Sequence, residues 1–200
     1  MKYYIADLHF GHENVRVLDG RPFASVEEMD AQMIRRWNEV VRRKDEVYIL
    51  GDFCLGKAPE AMKYLEALSG KKYLISGNHD SYFLRDKKMD LSLFEWVKPY
   101  AEMRDNGRKV VLSHYPMICY NGQYRGTQTY MLYGHVHDTL DYANVCNFAE
   151  QTRKTWSESL GSYIPCQMIN CFCGFSDFRP WTLDQWIAYP QIREMERRAK

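Results

Sequence analysis

Five short apolar runs in this 200-residue chain each deliver the chain into a carboxylate, an amide or an imidazole. Residues 2–6 lead to Asp7-Leu8-His9, residues 47–50 to Gly51-Asp52, and residues 73–75 through Ser76-Gly77 to Asn78-His79-Asp80. Residues 109–112 lead to Ser113-His114, and residues 130–133 to Gly134-His135-Val136-His137. In open α/β sheets, ligands bind just outside the carboxyl ends of strands, so this pattern demands a fold that gathers several such ends. Taken singly, Gly51-Asp52 is a turn and Gly77-Asn78 an ordinary loop dipeptide. However, the chain has six histidines, and all stand in these segments or, as His12 does, beside one. Histidines used only for packing would be scattered, so the set reads as a site.

The segments between these runs carry the helical period. Residues 26–41 are expected to be helical, with Ser25 and Glu28 as a capping box and Val26, Met29, Met33, Trp37 and Val40 on one face. A second helix opens at Ala58-Pro59-Glu60 and stops at Ser69-Gly70. Strand, helix, strand, helix, strand argues for an α/β domain with its sheet covered on both faces. Further strands are expected at 96–103 and 167–170, with Asn106-Gly107 turning a hairpin. Residues 1–200 read as one domain. Residues 138–165, partly helical around 140–154, stand apart as a peripheral insertion or a lid.

Composition narrows the classes. A hydrophobic fraction of 46% suits a globular chain, and a formal charge of +1 gives no overall field for nucleic-acid binding. Arg193, Arg197, Arg198 and Lys200 are mixed with Glu and read as a solvated helix end. No run has the length of a membrane span and no leader precedes the first strand, so a cytoplasmic protein is expected, with no membrane partner. The six cysteines form no C-x-x-C pair and suit core positions in a reducing compartment. Cys171-Phe172-Cys173 lacks the second pair that a soft-metal site needs.

Spacing gives the chemistry. In extended backbone residues i and i+2 face the same way, so Asp7 and His9 can converge, and so can His135 and His137 if that segment is extended. Imidazole with carboxylate suits Mn²⁺, Fe and Zn²⁺. Seven donors (Asp7, His9, Asp52, Asn78, His114, His135 and His137) exceed what one tetrahedral zinc takes, which implies two ions sharing a ligand.

The ordered set Asp-x-His, Gly-Asp, Gly-Asn-His-Asp, His, Gly-His-x-His resembles the calcineurin-like metallophosphoesterases over residues 7–137, with an echo at INCFCGFSDFRPWTLDQW. The stretch DLHFGHENV is similar to small prokaryotic and phage members. The resemblance implies a four-layer αββα sandwich, two mixed β-sheets flanked by helices. It implies that Asp7, His9 and His137 hold one metal, that Asn78, His114 and His135 hold the other, and that Asp52 bridges them. Two divalent or trivalent ions follow, manganese first, with iron or zinc as alternatives. The implied reaction is hydrolysis of a phosphomonoester or phosphodiester by a hydroxide that the metals supply. His79 would give a proton to the leaving oxygen and Asp80 would orient its imidazole. Asn78 and His12 are the expected substrate contacts, although His12 is equally readable as a hydrogen-bond partner behind the ligands. Tyr115, Tyr120 and Tyr124 are candidates for a base or aryl pocket, and Arg85 and Arg125 for phosphate. The partner is therefore a phosphate ester, a nucleotide among the candidates. A nuclease with the same metal centre is the alternative, and a non-catalytic scaffold a weaker one, since every motif position is filled.

Overall fold

Alternation within each strand sets the layers. The structure is a computed structural model and describes residues 1–190; the basic cluster Arg193, Arg197, Arg198 and Lys200 lies outside the described residues. Strands β1 (Lys2–Ile5), β2 (Glu46–Ile49), β3 (Lys71–Ile75) and β4 (Trp96–Lys98) pair in that order, all parallel. Helices α1 (Glu13–Leu18), α2 (Val26–Val40), α3 (Ala58–Ala67) and α4 (Ser81–Leu84) fall between them in the chain. Tyr3, Ile5, Val47 and Ile49 pack into one core with Met29, Met33, Trp37 and Leu65 of the helices. Tyr4, Ala6, Tyr48 and Leu50 alternate with them and point into a second core. Strands buried on both faces are what all-parallel sheets require.

The second half supplies β5 (Tyr100–Asp105), β6 (Arg108–Ser113), β7 (Thr129–Tyr133) and α5 (Leu140–Lys154), then the short pair β8 (Trp156–Ser157) and β9 (Ser162–Tyr163), β10 (Met168–Asn170) and α6 (Leu183–Ala188). Its sheet runs β10-β7-β6-β5, parallel except for the β5–β6 hairpin. Val110, Leu112 and Leu132 face the first sheet, whereas Val111, Met131 and Tyr133 face outward onto Tyr142 and Cys146 of α5. The layers are helix, sheet, sheet, helix. Residues 140–154, a helix of unassigned place in the sequence, thus cover the outer face of the second sheet.

Two details depart from the sequence reading. The run expected as one strand over 96–103 is two strands in different sheets. Pro99 has no N–H for a ladder, and the chain changes sheets there. At the opposite edge, Ala6 N donates to Cys171 O at 2.8 Å and Cys173 N to Ala6 O at 3.0 Å, so the segment after β10 closes onto β1. The sheets are therefore stitched at both edges. In α2, Ser25 Oγ accepts from Glu28 N at 3.2 Å as expected, but Glu28 Oε2 reaches Ala24 N at 2.7 Å instead of Ser25. At the β5–β6 hairpin, Asn106 and Gly107 both have positive φ (47° and 81°), the geometry a two-residue hairpin turn needs. Among the described residues no helix is long and apolar enough to cross a membrane.

Candidate metal centre

The carboxyl ends of β1, β2, β3, β6 and β7 open toward one another, and all five donor-bearing segments meet there. Asp7, His9 and His137 bring one ligand atom each within 4.8 Å of one another, and Asp52, His114 and His135 form a second such group. Asp52 Oδ2 lies 3.7 Å from His9 Nε2 of the first group and 3.5 Å from His114 Nε2 of the second. Asn78 Oδ1 stands 3.1 Å from His114 Nε2, which puts it with the second group. All seven donors named from the sequence are therefore in one cluster. Its floor (Asp7, His9, Asp52 and His114) is buried, while His135 and Asn78 are exposed at the rim.

The backbone that holds them is not extended. Asp7 (φ 57°), His9 (52°), Asp52 (53°), His135 (71°) and His137 (44°) all occupy the left-handed region. Such conformations cost a non-glycine residue energy and persist where the surroundings impose them, commonly at functional sites. The i, i+2 argument therefore gives the right partner for Asp7 and His9 through the wrong geometry. For His135 and His137 the condition of extended backbone fails, and they turn to different groups. Hydrogen bonds hold the turns: Asp7 N to Gly51 O at 3.1 Å, His9 N to Asp52 O at 2.9 Å, and His135 N to Asp7 Oδ1 at 2.9 Å. Gly51 is required sterically, since at φ 89° an added Cβ would lie 2.2 Å from His114 Nδ1.

Donor chemistry tests whether the residues fit cations. His114 Nδ1 sits 2.8 Å from Leu50 O and His137 Nδ1 2.7 Å from Asp19 Oδ1. Each acceptor takes the Nδ1–H and leaves the Nε2 lone pair facing the cluster, the arrangement that orients metal-binding histidines. His9 Nε2 and His137 Nε2 face each other at 3.2 Å. The charges point the same way. Burial opposes a charge on His114, but Asp52 and Asp7 outweigh it and lift its pKa to about 9. Burial likewise raises the Asp52 carboxyl, but His114 and His9 prevail and hold it at about 2. Burial, helped by His137, Arg21 and His79 and opposed by Asp52, carries His9 well below its ordinary value. Two carboxylates in a dry floor attract positive charge, and the lone pairs converge where a cation would supply it. The residues fit.

Four residues that the sequence did not reveal support the cluster. Asp19 links His137 to Arg21, whose buried guanidinium donates to Asp7 O and Leu8 O, each at 2.8 Å. Asp30, on α2, accepts Gly11 N at 3.1 Å and Tyr64 Oη–H at 2.7 Å, clamping the loop after His9. Asp19-Gly20-Arg21-Pro22 reads as a turn, and nothing local announces a buried arginine.

Asp80 is a correction. The expectation was that it orients the His79 ring. Instead its Oδ2 accepts Gly77 N at 2.7 Å and Asp52 N at 3.1 Å, and its Oδ1 accepts Phe53 N at 2.8 Å. Fully buried, it straps the loop after β2 to the loop after β3, and burial raises its pKa to about 6. The carboxylate that faces His79 is Asp52, whose Oδ1 accepts His79 N at 2.9 Å and whose Oδ2 lies 4.0 Å from His79 Nε2. His79 itself is half-buried, with its ring 5.3 Å from that of His9.

The aromatic candidates divide. Tyr115 is exposed and packs edge-on against His135, with ring centroids 4.6 Å apart. Tyr120 is buried, its Oη accepting Gln167 N at 2.8 Å, so it is a core residue. Tyr124 and Arg125 stack on each other along a separate groove with Glu102 and Lys109. Arg85 ends α4. Cys171 and Cys173 are buried free thiols, and Cys173 Sγ contacts Asp7 O at 3.2 Å.

Comparison with known proteins agrees with this geometry. The sequence pattern of the calcineurin-like phosphoesterase superfamily domain matches residues 3–168. The uncharacterized protein MJ1445 of Methanocaldococcus jannaschii is 37% identical over 137 residues, covering 68% of each chain. The Gene 66 protein of Mycobacterium phage L5 is 31% identical over 163 residues, covering 69% of this chain and 78% of its own. Among solved structures, the protein of unknown function AQ665 from Aquifex aeolicus superposes with a TM-score of 0.66 at 23% identity. That match spans 92% of this chain and 96% of its own, and it shows the shared fold.

Proposed function

The chain belongs to the calcineurin-like phosphoesterase superfamily, and from that premise we propose that it hydrolyses a phosphate ester, monoester or diester, with two metal ions. The observation that carries this reading is Asp52, whose one carboxylate oxygen stands 3.7 Å from His9 and 3.5 Å from His114, between two groups of candidate ligands. Asp7, His9 and His137 would hold one ion, Asn78, His114 and His135 the other, and Asp52 both. Manganese is the first choice and iron or zinc the alternatives, since this oxygen and imidazole set suits all three. Bound there, such ions supply Lewis-acid polarisation of phosphoryl oxygens and an acidified water.

The chain's own residues do the rest. The buried floor excludes bulk water, so charge on the phosphoryl group is felt more strongly than in solution. His79 faces the same space from the rim, and it is the residue we assign to give a proton to the leaving oxygen. Asp52 holds the His79 amide, while Asp80 acts at one remove by holding the amides of Asp52 and Gly77 in place. The test is hydrolysis of a bis-aryl phosphodiester beside an aryl phosphomonoester by Mn²⁺-reconstituted protein, with a chelated control. Metal-dependent turnover of either supports the reading, and the preference separates diesterase from phosphatase. No turnover of either or of a nucleotide panel, with two ions bound, overturns it.

A further inference from the structure

Helix N-caps are ordinarily Ser, Thr, Asp or Asn, yet α1 is capped by histidine. His12 has extended backbone (φ −104°, ψ 95°), and its Nδ1 accepts Val15 N at 2.8 Å. That bond settles the tautomer: a nitrogen that accepts carries no proton, so the N–H is on Nε2, on the far side of the ring from the helix. Among the described residues no acceptor is hydrogen-bonded to that Nε2. The ring is half-buried at the edge of the cluster, with its centroid 5.5 Å from that of His9 and 6.2 Å from that of His79. Its approach is fixed. Gly11 N is held by both oxygens of Asp30, at 3.1 and 3.2 Å, and His12 N donates to His9 O at 3.2 Å. A capping residue with no further task needs neither a ring nor a second nitrogen aimed away from the helix.

We infer, resting on the phosphoesterase reading, that His12 binds substrate by donating its Nε2–H to a non-bridging phosphoryl oxygen, leaving His79 to serve the leaving oxygen. Capping and recognition then share one imidazole: the Val15 amide holds the ring and the tautomer, and the free N–H meets the anion. Such a donor is already oriented before the substrate arrives and pays little ordering entropy on binding.

The test uses His12→Asn, which keeps a good N-cap but loses the distal N–H, and His12→Ser as a second capped variant. Inorganic phosphate binding to the metal-loaded protein is measured by calorimetry, and kcat/KM with an aryl phosphate. Both variants are expected to melt and hold metal like the wild type. Each is expected to bind phosphate roughly 10- to 100-fold more weakly, with a similar fall in kcat/KM, as the loss of one hydrogen bond to a charged group implies. Phosphate affinity and kcat/KM equal to wild type in both variants would overturn the inference and leave the phosphoesterase reading standing. Wild-type protein that hydrolyses no ester, but binds phosphate through His12, would sink that reading and keep the inference. Wild-type protein that binds no phosphate would overturn both.

Discussion

Replacing Asp19 by Asn probes the centre without touching a candidate ligand. Asp19 Oδ1 accepts His137 Nδ1–H at 2.7 Å, and its Oδ2 pairs with Arg21 at 3.0 Å, where the guanidinium is almost wholly buried. The Asn side chain keeps an oxygen for His137 but removes the charge. A hydrogen bond to a charged partner contributes about 1.5–3 kcal/mol and a neutral one about 1, so the ring loses about 1–2 kcal/mol of support. That is roughly 5- to 30-fold in affinity, overlapping the roughly 10- to 100-fold seen when carboxylates behind metal-binding histidines are removed. Calorimetric titration of metal-free protein with Mn²⁺ is expected to show the step assigned to Asp7, His9 and His137 weakened by about that factor, with the other step unmoved. The pH dependence has a definite sign. Burial opposes the charge on His137, but Asp19 and Asp7 raise its pKa, and a metal must displace that proton. Affinity therefore rises with pH through the raised value, and in Asp19→Asn the rise moves to lower pH. In metal-free protein, the raised His137 contributes stability that is full below about pH 6.5 and is lost as pH climbs through its folded value. Asp19, lowered by His137 and Arg21 against its own burial, contributes above about pH 4 and loses that contribution as pH falls through its folded value. The pair stabilises most between these limits. Equal weakening of both steps, or unchanged affinity at both, would refute the reasoning.

Other perturbations separate the remaining roles. Asp52→Asn is expected to abolish turnover and reduce bound metal below two equivalents, measured by elemental analysis after desalting. His79→Ala should keep both ions yet lose rate, most severely on esters with poor leaving groups, as a series of aryl phosphates would reveal. Gly51→Ala places a methyl 2.2 Å from His114 Nδ1 at a left-handed φ, so urea unfolding should show a loss of about 2–4 kcal/mol and metal content should fall. Asp19→Ala removes both the counter-charge of the buried Arg21 and the acceptor of His137, and should cost about 3 kcal/mol or more in the same assay.

Much of the centre was legible because its donors are short motifs at strand ends, where side-chain type and position are both local properties. Residues 140–154 were legible only as partly helical, and their place on the outer face of the second sheet was not. Pro99 was in plain view, but that it moves the chain from one sheet to the other depends on pairings between distant strands. The left-handed backbone at Asp7, His9, Asp52, His135 and His137 is imposed by hydrogen bonds between loops of different strands and has no residue signature. Asp80 shows the limit most clearly. Its place beside His79 in the chain suggested a partner, but its oxygens turn to amides of the loop 27 and 28 positions upstream. Asp19 was invisible because its partner, His137, is 118 positions away, and Arg21 because the carbonyls it meets, those of Leu8 and Asp7, lie 13 and 14 positions upstream.

The most direct test of the account is turnover of an aryl phosphate ester measured against equivalents of bound Mn²⁺, starting from metal-free protein. Two groups of donors joined at Asp52 are expected to give little activity up to the first equivalent and a rise to full rate with the second, reversed by a chelator. Turnover that survives removal of all metal, or saturates with one ion bound, would contradict it.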